Sequence, residues 1–165
     1  MKNKLNILLF ISFLIAVAVY FWVNSLYSSQ VGDIAFDASI DNSDFVVCDE
    51  DQIQQYYSAD TYYEGGERAI KKELRELITQ LNFEKSGIIT FRFVVNCSNQ
   101  TGRFRVKMVN TDLKETSFNF GNIKQIQESI KNLKDWHAGK WNNQTLDTYY
   151  NLSFKIQDGK ITDIF

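Results

Sequence analysis

The sequence predicts an α+β fold in which two helices pack on one face of a three- to four-stranded antiparallel sheet, preceded by an N-terminal transmembrane helix. Three observations carry this expectation. Residues 87–109 alternate apolar and polar side chains with a period of two, residues 67–81 and 123–136 show apolar stripes of helical period, and residues 5–23 are almost continuously apolar.

Within residues 87–109, Ile89, Phe91, Phe93 and Val95 point one way, with Thr90 and Arg92 opposite. After a polar turn, Phe104, Val106 and Met108 alternate with Arg103, Arg105 and Lys107. Two such arms form an antiparallel hairpin with one buried face. The connection Asn96-Cys97-Ser98-Asn99-Gln100-Thr101-Gly102 suits a turn, and Gly102 is placed to take positive φ. A two-stranded unit is marginal in water and needs further strands or a helix over it.

The helix over 67–81 follows Gly65-Gly66 and shows Ile70, Leu74, Leu77, Ile78 and Leu81 on one side, with Lys71, Lys72, Arg75 and Glu76 on the other. A second stripe, Ile123, Ile126, Ile130 and Leu133, predicts a helix running to about Trp136, with Gly139 as its terminating glycine. A third strand follows, in which Tyr150, Leu152, Phe154 and Ile156 alternate with Tyr149, Asn151, Ser153 and Lys155. Asp158-Gly159 is a two-residue hairpin signal that folds residues 160–165 back as a short fourth strand.

The apolar run is long enough for the ~30 Å hydrocarbon core of a bilayer. Lys2 and Lys4 precede it and no basic residue follows until Arg68, which sets the N-terminus in the cytoplasm. The competing reading, a cleaved signal peptide, wants a shorter apolar core and a small-residue cleavage site. The chain is therefore expected to be a single-pass inner-membrane protein, anchored by residues 1–23, tethered by 24–43, and carrying its C-terminal domain, 44–165, in the periplasm.

The formal charge of −2 becomes more negative once Lys2 and Lys4 are set with the anchor, which argues against a nucleic-acid partner. His137 is the only histidine, so neither a nucleophile triad nor a zinc site can be assembled, and no catalytic residue, metal or cofactor is expected. Cys48 and Cys97 are the only cysteines; in an oxidising compartment a bridge is favoured over two unpaired thiols. Such a bridge closes a loop of about 50 residues, for which the chain-entropy model gives ~4 kcal/mol. Arg92, Arg103, Arg105 and Lys107, with Lys155, form a cationic row that is either a solvated sheet face or the seat of an acidic partner segment.

The glycine pair Gly65-Gly66 before a helix, the strand Gly-Ile-Ile-Thr-Phe-Arg-Phe-Val-Val at 87–95 and the stretch Trp136-His137-Ala138-Gly139-Lys140 are followed by a polar turn and an aromatic strand. Together they resemble the C-terminal domain of TonB-type energy transducers, over roughly residues 62–156. That family usually has proline where Ala138 and Ser153 stand, and its members that reach the outer membrane have a proline-rich spacer; this chain has no proline. The resemblance implies a periplasmic protein-protein interaction module that binds by strand addition and contacts outer-membrane receptors in transport. Tyr150, Leu152, Phe154 and Ile156, with Arg92, Arg105 and Lys107, are the expected partner-binding residues. The alternative is an exported scaffold or interaction domain unconnected to energy transduction.

Overall fold

The computed structural model describes residues 2–28 and 34–165, and within the first helix the side chains of residues 6, 7 and 9–22. The chain divides into two compact units, residues 1–35 and 36–165. Residues 29–33 of the expected tether lie outside the described residues. Its last part, from Phe36, already belongs to the second unit.

The first unit holds α1 (Lys2–Ser28), whose described apolar side chains, from Ile7 to Trp22, are almost all exposed. Among the described residues no helix is long and apolar enough to cross a membrane, which corrects the expected transmembrane helix.

The second unit is built on a five-stranded mixed sheet, which corrects the expected antiparallel sheet of three or four strands. Its members are β1 (Gln54–Gln55), β3 (Gly87–Val95), β4 (Thr101–Asn110), β8 (Thr148–Gln157) and β9 (Lys160–Ile164). The order is β1-β8-β3-β4, with β9 also paired to β8. The mixed character comes from β1, which pairs parallel to β8 through Gln54↔Thr148 and Gln55↔Tyr149. A strand of two polar residues has no period to detect.

The β3–β4 hairpin runs in antiparallel register from Gly87↔Asn110 to Val95↔Thr101, with an irregularity between Arg92 and Val94. Asn99 (φ 64°) and Arg103 (φ 53°) take the left-handed backbone there, instead of Gly102. Gly102 is required for space: the Phe45 ring lies where its Cβ would be. At the other hairpin, Asp158 (φ 48°) and Gly159 (φ 78°) are both left-handed, the pattern of a two-residue turn matched to strand twist.

There are four α-helices in the described chain, more than the sequence periodicity separates. The 67–81 stripe is divided at Leu74 into α2 (Gly66–Glu73) and α3 (Arg75–Gln80), and α4 spans Phe120–Asn132. At Leu133 the backbone turns extended (ψ 126°), so α4 stops short of Trp136. Ile70, Leu74, Ile123, Ile126 and Ile130 pack with Ile89, Phe91, Phe93, Leu152, Phe154 and Ile156 in one core. Burying such side chains at ~25 cal/mol per Å² is what holds the helices to this face.

Two small ladders complete the unit. β2 (Tyr62–Tyr63) pairs antiparallel with β5 (Trp136–His137), and β6 (Gly139–Trp141) with β7 (Gln144–Leu146). Gly139 is thus a strand residue and not a helix terminator. A Cβ there would stand 2.7 Å from both Ala59 Cβ and Thr148 Cγ2.

Candidate interaction surface

The sheet's second face is the one opposite the helices, and residues 36–53 lie against part of it. This segment, here called the strap, makes its own turns (Asp41 N–H to Asp37 O, 2.8 Å; Phe45 N–H to Asn42 O, 3.2 Å). It is fastened by polar and covalent links. Arg105 donates through both terminal nitrogens to Asp41, at 2.8 and 2.9 Å. Arg103 does the same to Glu50, with Nη1 to Oε2 at 2.7 Å. Cys48 and Cys97 are bonded, with their Cα atoms 6.2 Å apart. The buried Asn96 amide donates to Val46 O at 2.8 Å.

These contacts correct the cationic row as a solvated face. The Arg103 side chain is 3 % exposed, as is that of Asp41. A buried guanidinium demands a carboxylate, because desolvating an unpaired charge is expensive. The hydrogen bond from Arg105 holds the Asp41 carboxyl below the usual range, and that from Arg103 lowers Glu50. The same bonds push both arginines up. Arg92 donates to Asn151 Oδ1 and Gln55 Oε1 and lies 4.7 Å over the Tyr149 ring. Lys107 and Lys155 are exposed.

One residue that sequence reasoning passed over organises the junction. Asp147, buried just before β8, accepts from Cys48 N–H (2.7 Å) and Asp49 N–H (2.8 Å) on Oδ2 and from Cys97 N–H (2.9 Å) on Oδ1. Its carbonyl also receives Gln54 N–H at 2.9 Å, the bond that starts β1. One carboxylate therefore joins the strap, the hairpin turn and the entry to β8. No local pattern marks it; the only signal is an acidic residue directly before an apolar strand. Asp147 and the two sulfurs cluster as three potential metal ligands, but cysteines bonded to each other offer no thiolate.

The expected partner-binding strand is central. β8 has β3 on one side and, on the other, β1, β9 and the terminal pair Ser153–Phe165. Leu152, Phe154 and Ile156 are buried in the core, and Tyr150 is partly buried beside Phe93 and Trp136, with its hydroxyl pushed up by burial. They are packing residues, not pockets for a partner's side chains. The sheet ends instead at β4. By parity with Met108 and Asn110, whose backbone groups bond outward to Thr116 and Lys114, Val106 directs its N–H and C=O away from β3.

The signature stretch is structural as well. Gly65 (φ 75°) and Gly66 (φ 65°) start α2 in a backbone that side chains rarely adopt. Trp136 is buried against Tyr63, Phe93 and Tyr150 at 4.8–5.3 Å between ring centres. Burial and a bond to Glu73 push the Tyr63 hydroxyl to about 12. His137 stacks on Tyr62 and meets Glu64 at 3.1 Å, and Lys140 is exposed, with its N–H on Ala59 O. Comparison of the chain with family models, with curated proteins and with solved structures finds no match.

Proposed function

We propose that the second unit is an exported, membrane-held protein-interaction module of the TonB C-terminal type, which takes an extended partner segment along the outer edge of β4. The observation that carries this reading is the position of β4 at the end of the sheet, laddered to β3 on one side. Outward backbone groups at an edge are a template for a further strand. Supporting it, the disulfide suits an oxidising compartment, and the exposed apolar side chains of α1 suit a lipid environment at the inner membrane. The resemblance over residues 62–156 suggests outer-membrane receptors as partners in transport. The lack of any proline for a stiff spacer favours the second reading, an interaction module outside energy transduction.

Site-specific photo-crosslinking in membranes tests the edge. A crosslinking residue at Lys107, whose side chain is exposed on β4, should trap a protein partner, and one at Ile156 should trap none. Val106→Pro removes one outward N–H and spares the β3 ladder, so it should abolish trapping from a crosslinker placed at Lys107 while leaving the fold intact. Equal trapping from Lys107 and Ile156 would sink the reading. Rescue of receptor-dependent uptake in a strain lacking its energy transducer separates the two roles.

A further inference from the structure

We infer that residues 36–53 are a releasable strap, latched by the Cys48–Cys97 disulfide, whose release opens the arginine-bearing half of β4 to an acidic extended segment. This rests on the β4-edge reading above and adds to it the regulation and the partner's chemistry.

Four observations support the strap as a separable piece. Before Gln54 it has no strand pairing to the sheet, and its backbone-to-backbone bonds are short-range turns. Ile40 and Val46 point to solvent, and Val47 is its one buried apolar residue past Phe36. Clefts of about 320 and 160 Å³ lie along it, lined among others by Asn42, Phe45, Thr101 and Lys131. A segment with so little apolar burial sits at the low end of local stability, and loss of its cross-link leaves it on polar contacts.

The latch is reachable. Cys48 is exposed and lines a solvent-facing cleft of about 540 Å³ with Gln52, Asn143 and Thr145. A dithiol donor attacks the bond through a mixed disulfide; two electrons and two protons pass to Cys48 and Cys97, and the donor leaves as its own disulfide. What then holds the strap is largely Asp41 on Arg105, Glu50 on Arg103, and the amide bonds to Asp147 and from Asn96.

The partner's chemistry follows from the arginines. When the strap leaves, Arg103 and Arg105 keep their charge and lose Glu50 and Asp41, whose places the carboxylates of a partner can take. An incoming strand bearing carboxylates at alternate positions meets Arg103 and Arg105, which are two residues apart on β4, while its backbone pairs with the edge. Asp41 and Glu50 thus act as the resident stand-ins for the partner's acids.

The test compares oxidised full-length chain in detergent with chain reduced by dithiothreitol and alkylated, and with the Cys48→Ser/Cys97→Ser variant. Amide exchange of β3 and β8 serves as the control that each form is folded. Reduction should speed exchange across residues 36–53 by at least about ten-fold and leave β3 and β8 unchanged. A fluorescent decapeptide alternating aspartate and valine should bind the reduced form at least about ten-fold tighter than the oxidised one, less so in high salt, whereas its lysine counterpart should not bind. Arg105→Glu should remove that binding. Strap exchange that stays slow in a folded reduced chain overturns the latch, as does equal peptide binding to both forms. Release without binding of either peptide overturns the acidic-partner claim alone, since the β4-edge reading stands or falls on the photo-crosslinking, while the exchange data still report the latch.

Discussion

The two faces of the sheet are covered by different chemistry. On one, α2 and α4 press Ile70, Ile126 and Ile130 onto Phe91, Phe93 and Phe154, a non-directional apolar contact. On the other, the strap is held by two arginine-carboxylate pairs, one disulfide and a carboxylate gathering backbone N–H groups. The first kind of cover tolerates salt and pH and fails when volume is lost. The second depends on charge state and redox state, and fails one link at a time.

The contrast can be broken most severely on the helix face. Phe91→Ala removes a fully buried ring packed edge-on to Phe154 and should cost about 3–5 kcal/mol, read as a lower urea midpoint, independent of salt. Next is Asp147→Ala, which strands three backbone N–H groups and should cost about 2–3 kcal/mol; a loss under about 0.5 kcal/mol would show that water replaces the carboxylate there. Asp41→Asn should cost about 1 kcal/mol, and the loss should appear as faster exchange in the strap with the core unaffected.

The smallest effect is a pH dependence confined to the strap. Asp41 and Glu50 have folded-state values below their unfolded ones, so the stability they add is full above the unfolded values. It is lost as pH falls through the depressed ones, below about pH 4. Strap exchange should therefore accelerate in acid before β3 and β8 exchange does. Simultaneous loss of both would mean that the strap and the core form one cooperative unit.

What the sequence made legible is what local periodicity encodes. The β3–β4 arms, the apolar stripes of α2 and α4 and the Asp158-Gly159 turn can be read because each repeats or turns within a few residues. The sheet order cannot, because β1 joins β8 across most of the domain's sequence by two polar positions, and β9 seals the other part of the same edge. Alternation alone therefore offers Leu152, Phe154 and Ile156 as a partner surface, whereas they stand in the core. Arg103 and Arg105 mislead in the opposite sense: alternation places them on the second face, but nothing local shows that Asp41 and Glu50 cover it.

Asp147 also sets an order of events as the chain is made. Ribosomes deliver Cys48, Asp49 and Cys97 well before Asp147, so both cysteines are available while their shared acceptor is still unmade. β3 likewise waits for β8, its longest ladder partner, which follows it by more than fifty residues. A nascent chain halted short of Asp147 would therefore display the β3–β4 hairpin with a loose N-terminal arm, and only the arrival of Asp147 and β8 would convert that precursor into the closed domain.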